Sequence, residues 1–295
     1  MSHPFRVDGR YRNLKGAFTV ESLQGSRMVI RYDDGRTETT STTFQELALL
    51  PDERVSPGRA PGGASSASRT FDFHGLKETD FQESTAGTSW RRRASLGGLL
   101  AYRLSILCAQ PFESLGVSRR NEVFVYQPHR YRQDKTAHEA KLRFKVGPDG
   151  VRHGLYVEKG STPIDAGWDW TRLLALKAAK SPIGGDVLTA MRGHKLVWRL
   201  DFFSSDRTVA HTRYVDPSGD CLALRDEPDA PHMVWDAFLD YLAALPTDEW
   251  CDLYLEQFIP REEAIRLAVS VADHTARVWR DLTPLYRACT VTGRR

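Results

Sequence analysis

The sequence predicts a multi-domain protein, with a small all-β module followed by an α+β domain that has a central antiparallel sheet and a helical C-terminus. Three observations support this. The first 50 residues contain three short runs of alternating residues between tight turns. Residues 52–68 are rich in Pro, Gly, Ala and Ser, a composition that cannot bury a core. The length of 295 residues also favours two domains. The predicted boundaries are 1–52 for the β module, 53–69 for a flexible linker and 70–295 for the α+β domain.

The N-terminal module shows the period-two pattern of half-buried strands. The runs at 16–22, 26–32 and 36–42 alternate apolar or β-branched residues with polar ones. Turns at Leu23–Gly25 and Asp33–Gly35 separate them, and Asp-Gly favours a hairpin because glycine readily adopts a positive φ. We therefore expect a strongly bent sheet of three to five strands. Such a small module has little core, so we expect it to bind a partner rather than to catalyse a reaction.

Two motifs in this module, GxYxNxxG at Gly9–Gly16 and YDDG at Tyr32–Gly35, resemble the SH3-like barrel of Tudor-type domains. The resemblance is confined to residues 5–50. It implies a docking module for nucleic acid or protein, commonly with an aromatic cage that binds methylated Lys or Arg through cation–π contacts. The alternative is that the same aromatic side chains fill the core of the barrel. The cage candidates are Tyr11, Phe18 and Tyr32, with Asp33 or Asp34 as the counter-charge.

The second domain is predicted to mix helices with antiparallel strands. Helical spacing is found at 95–109, 169–180, 232–245, 248–258 and 261–289, and Pro284 is expected to break the last helix. Strands are predicted at 122–126, 140–146, 153–159 and 195–203. The Gly-Pro-Asp-Gly turn at 147–150 predicts a hairpin between two of these strands. Because strands and helices do not alternate regularly, an α+β arrangement is favoured over a doubly wound sheet.

The net charge of +3 conceals an uneven distribution. Residues 91–145 contain twelve Lys or Arg and four Asp or Glu, whereas residues 201–260 contain three Arg and thirteen Asp or Glu. This asymmetry indicates either a surface that faces nucleic acid or mutual neutralisation of the two segments in the fold. The basic segment also contains aromatic residues that can stack on bases. The candidate nucleic-acid-binding residues are Arg91, Arg92, Arg93, Arg119, Arg120, Arg130, Tyr131, Arg132 and Lys135.

A Glu-x-Lys motif at Glu139–Lys141 resembles the core of metal-dependent nucleases. In that family an Asp and the Glu hold a divalent ion, and the Lys steadies the attacking water or the developing charge. Asp134 is the third candidate, but it lies only five residues before Glu139, whereas the family places its Asp on a preceding strand. Another residue such as Asp80 would then have to substitute. Mg²⁺ is the cofactor under this hypothesis, and the alternative is a solvated, charged entry to a hairpin.

Several other classes are disfavoured because their motifs are absent. The sequence contains no P-loop, Rossmann, GxSxG or HExxH motif, and its four cysteines never form CxxC. No apolar run approaches 18 residues and no signal peptide is apparent, so we expect a cytoplasmic protein without membrane partners. The sequence thus predicts a non-catalytic adaptor without a cofactor, which engages nucleic acid or a nucleic-acid-processing complex through its basic segment. The alternatives are the nuclease and a protein–protein scaffold that uses the acidic segment.

Overall fold

Buried side chains form two separate hydrophobic cores, one within residues 5–32 and the other within residues 71–289. The computed structural model describes residues 5–13, 16–25, 27–42, 71, 73–82, 93–117, 121–127, 139–160, 164, 167–179 and 181–290.

The N-terminal core belongs to a four-stranded antiparallel sheet, in which each strand pairs with the next along the chain. Both predicted hairpins are present, and Gly25 and Gly35 have the expected positive φ values of 59° and 87°. A register shift between Val20 and Ser22 marks a bulge in the second strand. The strands are β1 (Arg10–Asn13), β2 (Gly16–Gln24), β3 (Arg27–Tyr32) and β4 (Thr37–Ser41).

The edges of this small sheet are β1 and β4. Each of them pairs with one neighbour within the described residues, so no closed barrel is found in that part of the chain. The all-β character and the three predicted strands are confirmed, while closure into an SH3-like barrel stays a prediction.

The second core lies on one face of an eight-stranded antiparallel sheet, in the order β11–β10–β9–β12–β8–β7–β6–β5. The last strand along the chain, β12, is inserted between β8 and β9 at the centre of the sheet. The strands are β5 (Glu113–Val117), β6 (Glu122–Tyr126), β7 (Lys141–Gly147), β8 (Gly150–Gly160), β9 (Val197–Phe203), β10 (Val209–Ser218), β11 (Cys221–Leu224) and β12 (Trp250–Pro260).

Helices cover the apolar face of this sheet, and their buried residues join its apolar side chains in one core. The long C-terminal helix packs against the first helix and against β8. The α+β class, the central antiparallel sheet and the helical C-terminus are therefore confirmed. The helices are α1 (Gly98–Cys108), α2 (Asp169–Ala175), α3 (Ile183–His194), α4 (Trp235–Ala243), α5 (Arg261–Leu267) and α6 (Ser270–Cys289).

Two predictions for the C-terminal half were wrong. Residues 248–258 were predicted to be helical, but Trp250–Pro260 form the central strand β12. Pro284 was expected to break the last helix, yet α6 continues through it. Pro284 lies on the exposed side of the helix, where water can hydrogen-bond the carbonyl group that proline leaves without a partner. In addition, β5, β10, β11 and α3 were not predicted from the sequence.

Candidate functional site

The face of the large sheet opposite the helices carries charged and aromatic side chains. Side chains that share a cross-strand row lie on the same face, as Phe124, Arg143, Gly154 and Glu256 do. We call this side the polar face. On its five central strands it comprises Glu122, Phe124, Tyr126, Lys141, Arg143, Lys145, Arg152, Gly154, Tyr156, Glu158, Val197, Arg199, Asp201, Phe203, Trp250, Asp252, Tyr254, Glu256 and Phe258.

Buried Arg143 and partly buried Arg199 form a network with buried carboxylates at the centre of the polar face. Arg143 Nη2 donates to Glu122 Oε1 at 2.6 Å, and Arg143 Nη1 lies 3.7 Å from Glu256 Oε2. Arg199 Nε donates to Glu256 Oε1 at 2.7 Å, and Arg199 also pairs with Asp201. Each buried charge therefore has a partner, and removal of one partner would leave another charge uncompensated.

A glycine and a tyrosine shape this network. Gly154 on β8 lies between Arg143 on β7 and Glu256 on β12 in one cross-strand row, and its lack of a side chain lets the backbones of β8 and β12 approach closely where this ion pair crosses. The ring of Tyr254 lies between the two guanidinium groups, whose central carbons are 4.6 Å (Arg143) and 4.1 Å (Arg199) from the ring centroid. These cation–π contacts fix both arginines over the sheet.

Asp252 organises three aromatic side chains next to this network. It accepts hydrogen bonds from Tyr156 Oη at 3.2 Å, Trp250 Nε1 at 3.2 Å and Tyr254 Oη at 3.0 Å. Burial raises the pKa of Asp252, and the hydrogen bonds from Trp250, Tyr254 and Tyr156 act in the opposite direction. Tyr156 Oη also lies 3.4 Å from a carboxylate oxygen of Glu158. The carboxylate of Asp252 is therefore buried and held by hydrogen bonds from three aromatic side chains.

The lysine of the Glu-x-Lys motif reaches the same face. Lys141 Nζ lies 5.4 Å from the ring centroid of Phe124 and 5.9 Å from that of Tyr156. Burial lowers the pKa of Lys141, and the nearby carboxylates of Glu158 and Glu139 oppose this shift. The motif therefore begins a strand, as predicted, and Glu139 is close enough to influence the lysine.

The described residues do not assemble a metal centre around this motif. Asp134 lies outside them, and Asp80 accepts a hydrogen bond from the backbone N–H of Lys77 at 2.7 Å. No three His, Cys, Asp or Glu side chains in the described part of the chain converge in a way that could hold a metal ion. The nuclease hypothesis thus gains no support from this region.

At one end of the polar face, basic and aromatic side chains reach solvent. Lys145, Arg152 and Phe258 are cross-strand neighbours on β7, β8 and β12, and we call them the basic rim. The side chains of Lys145 and Arg152 are 41% and 27% exposed, and Phe258 is 39% exposed. The guanidinium carbon of Arg152 lies 4.6 Å from the ring centroid of Phe258.

The ion pairs of the basic rim are long. Arg152 lies 3.4 Å from Glu256 and 3.5 Å from Asp149, and Lys145 Nζ lies 3.9 Å from Glu122. Glu256 is held more closely by Arg199, at 2.7 Å. Both rim cations can therefore accept an anionic ligand without leaving a buried carboxylate alone.

Most of the predicted nucleic-acid-binding residues cannot be placed. Arg93 is described only through its backbone, and the other eight lie outside the described residues. These eight are Arg91, Arg92, Arg119, Arg120, Arg130, Tyr131, Arg132 and Lys135. Lys145 belongs to the same basic segment, and the structure places it at a partly exposed position on the polar face.

The N-terminal aromatic residues lie in the core of the small sheet. Phe18 and Tyr32 are buried, and Tyr11 packs on Phe18 with 5.8 Å between ring centroids. Asp33 forms an exposed salt bridge with Arg10 at 2.5 Å. This placement favours the core interpretation over the aromatic cage, because a buried ring offers no face to a ligand.

The acidic segment is neutralised in part within the fold. Glu256 pairs with Arg143 of the basic segment, which is the mutual neutralisation that the charge distribution suggested. Other acidic residues pair at the surface, including Asp240 with Lys177 at 2.6 Å. Pairing of this kind lowers the charge that the segment presents to a basic partner.

Sequence reasoning missed the central residues of the polar face. Asp252, Tyr254 and Glu256 fell in the segment predicted as a helix, and Arg199 fell in a predicted strand without a role. Their signal was present in the alternation of Cys251, Leu253 and Leu255 with polar residues, which is typical of a strand.

Comparison of the chain with known protein families, characterised proteins and solved structures found no match. Within the described residues, no helix is long and apolar enough to cross a membrane.

Proposed function

We propose that this protein is a nucleic-acid-binding adaptor and that the basic rim is part of its interface. The observation that carries the proposal is the juxtaposition of Lys145, Arg152 and Phe258 at a solvent-accessible end of the sheet. Arg and Lys side chains contact phosphates, and an adjacent aromatic ring can stack on a base. The basic segment predicted from the sequence ends at this rim.

The rest of the polar face supports the rim. Arg143 is buried, Arg199 is partly buried, and both are paired with buried carboxylates, so they are poor phosphate ligands. A fixed, internally paired surface next to two partly exposed cations limits the entropy lost when those cations engage a ligand.

We further propose that the N-terminal sheet is the core of a Tudor-like SH3 barrel and serves as a docking module for a partner in a nucleic-acid-processing complex. Its four-stranded antiparallel order, its bulged second strand and the YDDG hairpin support this proposal. The cytoplasmic location expected from the sequence agrees with such a role.

The salt dependence of binding tests the proposed function. We expect the wild-type protein to bind labelled DNA or RNA, with an affinity that falls steeply with salt because phosphate contacts release condensed counterions. The double substitution Lys145→Gln and Arg152→Gln should weaken binding and reduce the slope of log K against log salt. The expected reduction is about 1.4 to 1.8, since each lost contact removes about 0.7 (single strand) to about 0.9 (duplex).

A matched control removes the same charge from the helical side of the domain. Arg277→Gln with Arg280→Gln alters two exposed arginines of α6 and should leave affinity and slope unchanged. Absence of binding at about 50 mM salt, where such contacts are strongest, would refute the proposal. If both double variants gave the same slope of log K against log salt, the basic rim would not be part of the interface.

A further inference from the structure

We infer that the basic rim is a base-stacking site that selects single-stranded over duplex nucleic acid. This inference rests on the proposed function and deepens it by naming the class of ligand. It depends on Phe258, because among the Phe, Tyr and Trp side chains that the structure describes, Phe258 alone is exposed.

The local structure holds the Phe258 ring in a fixed place. The residue lies near the end of β12 and pairs across the strands with Arg152. A Cβ atom on Gly150 would approach ring carbons of Phe258 to 2.8 Å, so this glycine provides the space that the ring uses. The guanidinium carbon of Arg152 lies over the ring, 4.6 Å from its centroid, and the ring remains partly exposed. A ring positioned in this way needs little reordering before it receives a base on the surface that Arg152 does not cover.

The chemistry of the rim fits a single strand. In a duplex, each base is stacked on its neighbours and hides its faces, whereas a single strand leaves them free to stack on a protein side chain. Aromatic stacking tolerates any base, and Arg152 and Lys145 can track the adjacent phosphates. The polar-face residues Tyr156 and Tyr254 are buried and hydrogen-bonded to Asp252, so they do not offer a second platform.

The test compares a labelled oligo(dT) of about 20 nucleotides with a duplex of the same length, which is longer than the roughly 4–16 nucleotides that a single-strand-binding OB fold covers. The wild type should bind oligo(dT) more tightly. Phe258→Ala should weaken oligo(dT) binding by about 5-fold to 150-fold, as loss of one stacked base predicts, and should leave duplex binding within about 2-fold. Phe258→Leu keeps an apolar side chain without a π-face and should behave like Phe258→Ala.

A control and a fold check complete the experiment. Val209→Ala shortens another exposed apolar side chain of the same sheet and should change neither affinity. Thermal unfolding of Phe258→Leu should match that of the wild type. Equal binding of the two ligands by the wild type, or wild-type oligo(dT) affinity of Phe258→Leu, would overturn the inference while the proposed function stands. Failure to bind either ligand would overturn both.

Discussion

At the scale of single residues, His153 shows how burial fixes a protonation state. The imidazole lies on the apolar face of β8, stacked on Phe144 and edge-on to His274, and neither ring nitrogen has a hydrogen-bond partner among the described residues. Burial lowers the pKa of His153 to about 3, the neighbouring His274 adds to the shift, and the nearby side chain of Gln257 opposes it without forming a well-aligned hydrogen bond. The folded protein therefore keeps this side chain neutral where an unfolded histidine takes up a proton.

This difference predicts a dependence of stability on pH. Because the folded pKa lies below the unfolded value of about 6.5, the unfolded state binds more protons between the two values. Stability should therefore be lost as the pH falls below 6.5, by about 1.4 kcal/mol per pH unit. Phe can occupy the same apolar space, so His153→Phe should reduce the loss in unfolding free energy between pH 7 and about pH 4.5 by roughly 2 to 3 kcal/mol.

Urea unfolding at the two pH values measures this effect, and His232→Gln at an exposed position serves as the control. An unchanged pH dependence in His153→Phe would show that the imidazole is protonated or hydrogen-bonded in the folded protein.

At the scale of elements, local patterns predicted the parts of the fold that form locally. The hairpin of β7 and β8 followed from alternation and a Gly-Pro-Asp-Gly turn, and both N-terminal hairpins followed in the same way. The strand β12 was missed because its pairing is long-range: it lies between β8 and β9, far away in sequence. Since seven of its eleven residues are buried, on both faces of the sheet, its composition suits a buried helix as well as a central strand.

The same limit applies to the candidate site. The sequence located Lys141 and the basic segment, which depend on local composition. The contact between Arg143 and Glu256 could not be predicted from local patterns, because it depends on the insertion of β12 between β8 and β9.

Two glycines give a matched prediction at this scale. A Cβ on Gly154 would lie 1.9 Å from the carbonyl oxygen of Leu255 on β12, so Gly154→Ala must displace backbone and should lower the unfolding free energy by about 2 kcal/mol or more. A Cβ on Gly185 in α3 would face open space, and Gly185→Ala should raise stability by about 0.5 to 1 kcal/mol. Chemical denaturation distinguishes these outcomes. If Gly154→Ala changed the unfolding free energy as little as Gly185→Ala, β8 and β12 would be able to move apart without loss of stability.

At the scale of the whole molecule, the two hydrophobic cores have no residue in common. Among the residues that the structure describes, the smaller core contains six buried side chains, whereas the larger one unites the eight-stranded sheet with its helices. The larger core is big enough for its domain to fold independently, while the N-terminal sheet is near the lower size limit for a stable domain. The division of labour that we propose, a docking module joined to a nucleic-acid-binding domain, requires this independence.

Limited proteolysis tests the division into two domains. The Pro-, Gly- and Ser-rich composition of 52–68 predicts a linker, and exposed linkers of this kind are preferred sites of cleavage. We expect cleavage within this range to release a fragment that starts near Thr70 and keeps the thermal unfolding transition of the larger core. Because the basic rim lies wholly in this fragment, its affinity for oligo(dT) should match that of the intact chain. Protection of 52–68 from protease, or collapse of the released fragment, would show that the N-terminal sheet is an integral part of a single folding unit.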